Sequence, residues 1–210
     1  MKIFSTLIAF AFVIALIGCS EEVKEIQDVV DKAEKVKDAS NNMEEEKTAA
    51  EKRIQERRET GDTTAMHFTE LQKYLPDKIE GFETQEIEGE TTQMGSFSVS
   101  QVTREYTSDG KNIQIELMDY NAGYEMFWGM TAWARAGISQ ETSDGYERSF
   151  ESRIDNVAGY EKYNNKSKEG EVMYSIAWRF LLRISGQGVD DTEYLQRVAG
   201  MIDMEKLSKM

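Results

Sequence analysis

The sequence has little of the chemistry that most enzyme and metal sites need: it contains one cysteine, one histidine and one proline. A single cysteine excludes a disulfide within the chain, and it excludes the sets of Cys and His ligands that structural zinc sites use. The sequence also lacks the D-x-[DN]-x-[DN]-G calcium loop, the G-x-S-x-G nucleophile elbow and the P-loop. We therefore expect neither a metal site nor a cofactor.

The single histidine, His67, is the only base of its type that a Ser-His-Asp or Cys-His catalyst could use. It lies at the start of a predicted short helix, and we predict a surface residue there. Positive charge is also scarce, with 25 lysines and arginines against 39 aspartates and glutamates. Nucleic-acid phosphates attract basic surfaces, so this balance argues against a nucleic-acid partner and is typical of a solvated acidic surface.

The longest hydrophobic run lies at the amino terminus. Lys2 precedes Ile3–Gly18, which is apolar except for Ser5 and Thr6. A helix that spans a bilayer needs about 20 apolar residues, so the run is short for a membrane helix and fits a secretory signal peptide over residues 1–18. Its end, Leu16-Ile17-Gly18-Cys19, resembles the lipobox of bacterial lipoproteins, with an apolar residue three places before the cysteine and a small residue next to it.

The lipobox resemblance implies that Cys19 is thioether-linked to a diacylglycerol and becomes the acylated first residue of the mature chain. Several acyl chains together would hold the protein stably on a membrane. Ser20 is not aspartate, which implies export to the periplasmic face of the outer membrane if the envelope has two membranes. An ordinary signal peptide with an incidental cysteine, or an uncleaved anchor, stays open as the alternative.

Residues 19–64 combine high charge with a weak apolar pattern. In Glu21–Asp38 a short a/d seam of about two heptads, fewer than a coiled coil needs, holds Val23, Ile26, Val30 and Ala33. A second predicted helix, from Met43 to about Arg58, has as its apolar stripe Ala49, Ala50 and Ile54. We predict a helical, partly disordered tether that presents the following domain. A helix or hairpin that pairs with a partner or another copy is the alternative.

Residues 65–210 are predicted to form a globular domain. Period-two alternation indicates strands at Ile113, Ile115 and Leu117, after the hairpin turn at Asp109-Gly110. The longest alternation, Val172 to Ile184, is either one bent strand or two strands that share a corner around Trp178-Arg179. With helices at 124–136 and near the carboxy terminus, these strands predict an α+β domain with a mostly antiparallel, meandering sheet. The order of elements is similar to that of Mog1/PsbP-type domains.

Three local details are also predicted. The apolar residues Phe97 and Val99 lie on one parity and Val102 and Tyr106 on the other, which predicts a β-bulge near Ser100-Gln101. The short helix after His67 is predicted to be capped by Thr69 and to end before Pro76. A cap at Asp190, with Glu193 three residues later, is predicted to start one continuous final helix.

The aromatic side chains of the 124–136 helix are the candidates for a binding surface: Tyr124, Trp128 and Trp133. Trp128 is offset from the side that carries Phe127, so it would line a cleft or stay exposed. Packing of all these rings into a thick core is the alternative. The methionine pairs on the two helices are predicted to be core packing rather than a soft-metal site: Met126 with Met130, and Met201 with Met204.

We therefore expect a non-enzymatic envelope lipoprotein whose domain binds a protein partner or an apolar ligand. A second hypothesis is an envelope enzyme that uses the carboxylates of Asp119 and Glu125, which must then be held at a defined separation in a deep cleft. A third is a structural spacer, which would have neither a cleft nor an exposed aromatic patch.

Overall fold

Alternating apolar residues build the sheet that organises this protein. The computed structural model describes residues 44–135 and 137–210, without the side chains of residues 132 and 133. Four predicted features lie outside the described residues: the predicted signal peptide, the predicted lipid site Cys19, the first predicted tether helix and the Trp133 side chain. Across the described ranges the strands pair antiparallel and helices lie against both faces of the sheet, which confirms the predicted α+β class.

The elements follow the chain in a simple order. The helices are α1 (44–59), α2 (Phe68–Leu71) with a 3-10 turn (Gln72–Tyr74), α3 (Tyr124–Arg135), α4 (Glu193–Ala199) and α5 (Met204–Leu207). The strands are β1 (Glu83–Thr84), β2 (Glu88–Met94), β3 (Phe97–Ser108), β4 (Lys111–Asp119), β5 (Ser139–Thr142), β6 (Gly145–Glu151), β7 (Val157–Asn164), β8 (Glu169–Ile176) and β9 (Phe180–Gln187). In the sheet they lie in the order β1-β3-β4-β9-β8-β7-β6-β5, and β2 also pairs with β3.

The first face of the sheet carries the main apolar core. Ile115 of β4 and Leu182 of β9 are completely buried on this face. The helices α2, α4 and α5 cover it, because Leu71, Leu195 and Leu207 belong to the same buried cluster. Side chains alternate between the two faces of a strand, so the apolar alternation read from β4, β8 and β9 fixes which residues face these helices.

The second face is divided into an apolar half and a polar half. In the apolar half, Met118, Met173 and Leu181 pack with Phe127 of α3 and Ala50 of α1. In the polar half, directly paired residues form one row across six strands: Glu105, Gln114, Ser185, Glu171, Lys162 and Glu147. Only the apolar half therefore gives α1 and α3 a surface on which to pack.

The prediction that residues 44–64 belong to a tether is wrong. Residues 44–210 fall within one compact unit, and in α1 Ala50 is completely buried, while Ile54 is 9 % and Arg57 6 % exposed. The apolar stripe of α1 is as short as the sequence indicates. The helix stays on the sheet because polar side chains at both of its ends find distant partners, which a local pattern does not reveal.

The predicted β-bulge in β3 is also wrong. The register of β3 runs without interruption against both β2 and β4 across Ser100 and Gln101. Val99 packs on the apolar half of the second face, whereas Val102 and Tyr106 pack in the core of the first face. The apolar parity changes because both faces are covered at this end of the sheet, so no extra residue is needed.

Two helix caps differ from the predicted ones. The Nδ1 atom of His67, not Thr69, caps α2 by accepting from the backbone N–H of Thr69. At α4 the carboxylate of Asp191, not Asp190, accepts from the backbone N–H groups of Glu193 and Tyr194. The final helix is divided into α4 and α5, with Asp203 capping the second part.

The corner predicted near Trp178 separates two strands, β8 and β9, whose last directly paired residues are Ile176 and Phe180. Ala177 and Trp178 adopt positive φ angles of 52° and 51°. The left-handed conformation is unfavourable for residues with a β-carbon, by about 1–2 kcal/mol each. The turn is therefore a strained point of the backbone, and it lies directly under α1.

Candidate functional site: the groove between α1 and α3

The segment that follows α1 is anchored at the end of the sheet by buried charges. Asp119 is completely buried, and its carboxylate accepts from Arg179 Nε at 2.9 Å and Nη2 at 2.7 Å. The same carboxylate also accepts from the backbone N–H groups of Met66 and Asn121. A third group, Asp62, accepts from Arg179 Nη1 at 2.6 Å. We call Asp62, Asp119, Asn121 and Arg179 the crossover cluster.

Charge balance keeps the Arg179 guanidinium ionised. Burial by itself lowers the pKa of Arg179, but the hydrogen bonds and charges of Asp119 and Asp62 outweigh burial and raise it overall. Both oxygens of Asp119 are occupied by donors, and Glu125 is exposed to solvent. This geometry does not support the two-carboxylate hypothesis, because a general acid or base needs free access to its substrate.

The helix α1 is fixed at its two ends by polar contacts. Near its start, Glu46 Oε2 accepts from Arg135 Nη1 at 2.6 Å and from Trp178 Nε1 at 3.0 Å. The Arg135 guanidinium lies 4.9 Å from the centre of the Trp178 ring, within cation–π range. Near its end, Arg57 Nε donates to Asn121 Oδ1 at 2.8 Å. Burial, followed by the charge of Arg179, lowers the pKa of Arg57 to about 10.

An open groove separates α1 from α3. One part, of about 570 Å³, is lined by Lys47, Glu51, Ile54, Gln55, Arg58, Tyr124, Glu125 and Trp128. A second part, of about 820 Å³, shares Ile54, Arg58, Tyr124 and Glu125 with the first and continues past Phe97 and Met126 to the β2–β3 turn. We call the two parts together the α1–α3 groove. Each of the two parts has a volume within the range of about 300–1,000 Å³ that ligand pockets occupy.

The structure brings two of the three predicted surface residues together in this groove. Tyr124 and Trp128 are half-buried, and their ring centres lie 6.3 Å apart. Trp133 belongs to α3, but its side chain is outside the described part of the chain. Burial, followed by the negative charge of Glu51, raises the pKa of Tyr124, so its phenol stays protonated at neutral pH.

Sequence reasoning misses other parts of the groove. It places Ile54 in the tether, and it places Met126 and Met201 in the core, which is wrong for both methionines because each is 50 % exposed. Within the described ranges the exposed large apolar side chains are Met94, Met126 and Met201. Met126 lines the groove, and Met94, 69 % exposed, directly precedes Gly95 of its lining. The helical spacing of Met126 and Met130 suggests that both are buried. That spacing does not show at which residue a helix begins to be covered, so it misses the exposure of Met126.

The structure describes the position of His67 and the arrangement of possible metal ligands. His67 is exposed beside a short helix, as predicted, and its ring serves the α2 cap. Among residues 44–135 and 137–210, no group of three or more His, Cys, Asp or Glu side chains is arranged to hold a metal ion. None of the helices in those ranges is long and apolar enough to cross a membrane.

A second concave surface, of about 730 Å³, lies over the polar half of the second face. Its charges are partly paired within the protein: Glu171 lies 3.1 Å from Lys162 and 3.7 Å from Arg183, measured between nitrogen and oxygen. Burial raises the pKa of Glu116; Arg183 opposes this rise, and the nearby Glu171 adds to it. An antiparallel sheet commonly leaves one face to water, and this half is typical of such a solvated face.

No family model, curated protein or solved structure matches the chain. The lipoprotein and Mog1/PsbP-type resemblances therefore stay predictions.

Proposed function

We propose that this protein is a non-enzymatic binding module of the cell envelope. Its α1–α3 groove would hold an apolar segment of a protein partner or an apolar ligand, and a lipid on Cys19 would keep it on the membrane. The observation that carries the proposal is the exposed Met126 in the same groove as the half-buried rings of Tyr124 and Trp128.

The chemistry of the groove supports an apolar occupant. Tyr124, Trp128 and Ile54 lie in its lining. The same lining carries charged side chains of both signs: Lys47, Glu51, Arg58, Asp62 and Glu125. Methionine side chains are flexible and polarisable, and they recur at surfaces that accept varied apolar partners. Grooves of this kind take the apolar face of a partner helix or an extended apolar segment, with polar groups fixing its direction.

Nile red, a neutral dye that fluoresces in apolar sites, measures this capacity directly. We expect the full chain to bind the dye and Met126→Glu to weaken that binding at least about tenfold, because a hydrated carboxylate would then replace an apolar side chain in the lining of the groove. Met201→Glu is the matched control, since Met201 is equally exposed but lies between α4 and α5. Its affinity should stay within about twofold of the parent. Equal affinities of the two variants would refute the proposal.

The lipid anchor has its own test. Cells that express the full chain and are fed radioactive palmitate should yield a labelled protein in the membrane fraction. Cys19→Ser should abolish both the label and the membrane association, because the sulfur that carries the diacylglycerol is removed. Label that persists in Cys19→Ser would contradict lipidation at this position and leave the groove proposal to the dye measurement alone.

A further inference from the structure

The helix α1 rests on the sheet through very little apolar surface. Ala50 is its one completely buried apolar residue among positions 44–59, and Ile54 is 9 % exposed. The other attachments are polar: Glu46 to Arg135 and Trp178, Arg53 Nη2 to the backbone oxygen of Ser208 at 3.2 Å, and Arg57 to Asn121. By contrast, α4 and α5 add Leu195, Val198, Met204 and Leu207 to the buried core. Since burial of apolar surface is the main force that holds a helix on a sheet, α1 is the more weakly held element.

The contact between α1 and the rest of the domain contains buried donors that lack acceptors. Four buried atoms at this contact have no hydrogen-bond partner within the described part of the chain: Arg57 Nη2, Arg135 Nε, Arg135 Nη2 and Tyr124 Oη. Buried donors without partners cost free energy, and the cost is larger for charged groups. If α1 moved away, water could reach these atoms. The docked position therefore carries a penalty that an open position would not.

Backbone strain lies under the same helix. Arg57 Nη1 donates to the backbone oxygen of Ala177, and Trp178 donates to Glu46, so both left-handed residues of the β8–β9 turn contact α1. Strained residues of this kind persist where the surroundings hold them, and they concentrate at switches and binding sites. Here α1 supplies two of the contacts that hold the turn.

The chain leaves α1 at Gly61, which has a φ of +81°, the left-handed conformation with which glycine commonly ends a helix. The backbone N–H groups of Gly61 and Asp62 donate to the backbone oxygens of Arg58 and Arg57, so two hydrogen bonds join this point to the last turn of α1. The next residue, Asp62, is fixed to Arg179 of the crossover cluster. A rotation at Gly61 that breaks the two hydrogen bonds at the end of the helix would release α1 and leave the anchored segment after it in place.

We propose that α1 is a strap that opens about Gly61 without unfolding the sheet. When α1 moves away from α3, the Trp178 side chain becomes exposed and the α1–α3 groove widens. The proposal goes beyond the binding function and does not depend on it, because it concerns the ligand-free chain. It assigns Glu46 as the latch, since this one carboxylate holds both Arg135 and Trp178.

Native-state hydrogen exchange of the full chain, followed by mass spectrometry over a series of urea concentrations, tests the strap. We expect the amides of residues 44–59 to exchange together through an opening with a weak urea dependence, at concentrations where β4 and β9 remain protected. Glu46→Gln should raise the opening constant about tenfold, because it removes the negative charge from a partly buried pair with Arg135, whose side chain is only 10 % exposed.

The control is Glu51→Gln on the same helix. Glu51 pairs with Lys47 at 4.0 Å with both side chains about 60 % exposed, so its loss should change the opening constant by less than about twofold. Exchange of α1 only together with β4 and β9, at every urea concentration, would overturn the proposal. Equal effects of Glu46→Gln and Glu51→Gln would overturn the assignment of Glu46 as the latch.

Discussion

The two faces of the sheet are covered in physically different ways. On the first face, α2, α4 and α5 pack aliphatic side chains against β4, β8 and β9 in one continuous apolar core. On the second face, α1 and α3 cover only half of the sheet, and α1 is held largely by Glu46, Arg53 and Arg57. The groove, two of the exposed methionines, the strained turn and several unpaired buried atoms all lie near this second cover.

The contrast shows that the main apolar core of the fold and the proposed binding groove lie on opposite faces of the sheet. A continuous apolar core stabilises the sheet whatever happens on the other side, because its buried area does not depend on α1. The second face can therefore keep features that cost stability, such as an open groove and exposed apolar side chains. Such features are expected where a surface meets a partner.

The largest expected effect is a difference in the free energy of unfolding between substitutions at two neighbouring residues of β9 that face opposite sides of the sheet. Leu182 points to the first face and Leu181 to the second, and both are at most 1 % exposed. We expect Leu182→Ala to lower the free energy of unfolding by about 4 kcal/mol and Leu181→Ala by about 2 kcal/mol, since the smaller cluster can close over the cavity. Urea denaturation measures both values. A larger loss for Leu181→Ala would reverse the proposed ranking of the faces.

The crossover cluster should come next in size. Asp119→Asn leaves Arg179 with only the partly exposed Asp62 as its anionic partner, and we expect a loss of about 3 kcal/mol. Asp109→Asn, the same substitution in an exposed hairpin turn, should change stability by less than about 0.5 kcal/mol because Asn-Gly suits that turn. Similar losses in the two variants would show that the buried pair does not anchor the chain.

A smaller, pH-dependent effect is expected in the polar half of the second face. Burial and Glu171 raise the pKa of Glu116 above its unfolded value, so the folded state disfavours the ionised carboxylate. The stability linked to its protonated form is present at low pH and is lost as pH rises through the folded pKa. Glu116→Gln should therefore stabilise the protein at pH 7, and the gain should vanish below about pH 4, where the unfolded carboxyl is also protonated.

Thermal or urea unfolding at the two pH values measures the Glu116→Gln effect. The neighbouring Glu105→Gln is a suitable control, because its carboxylate shares the same polar half but is not in an ion pair with Arg183. A gain for Glu116→Gln that is equal at both pH values would contradict the assigned cause.

Much of the sheet could be predicted because its signals are local. The alternation of Ile113, Ile115 and Leu117 and the turn at Asp109-Gly110 depend on neighbours in sequence, and the structure bears them out. The docking of α1 depends instead on pairs such as Glu46 with Arg135 and Arg57 with Asn121, which lie far apart in the chain. No local sequence pattern predicts such contacts. The sequence pattern of α1 therefore predicts a tether, and the side of the groove that α1 forms is missed.

The bulge error has a related cause. A change in which alternate residues of a strand are apolar predicts a bulge only if just one face of that strand is buried. In β3 both faces are covered where Val99 and Val102 lie, and that fact depends on helices encoded elsewhere in the sequence. Tyr124 and Trp128 could be selected as surface candidates because their offset on one helix is itself a local property.

Photo-crosslinking in membranes tests the central claim most directly. A photoreactive amino acid would replace Met126 or, as the control, Met201 in the full chain, and the adducts would be identified by mass spectrometry. We expect a discrete adduct, with a protein or a small apolar molecule, from position 126 and none from position 201. The absence of an adduct at 126, or the same adducts from both positions, would contradict a binding site in the α1–α3 groove.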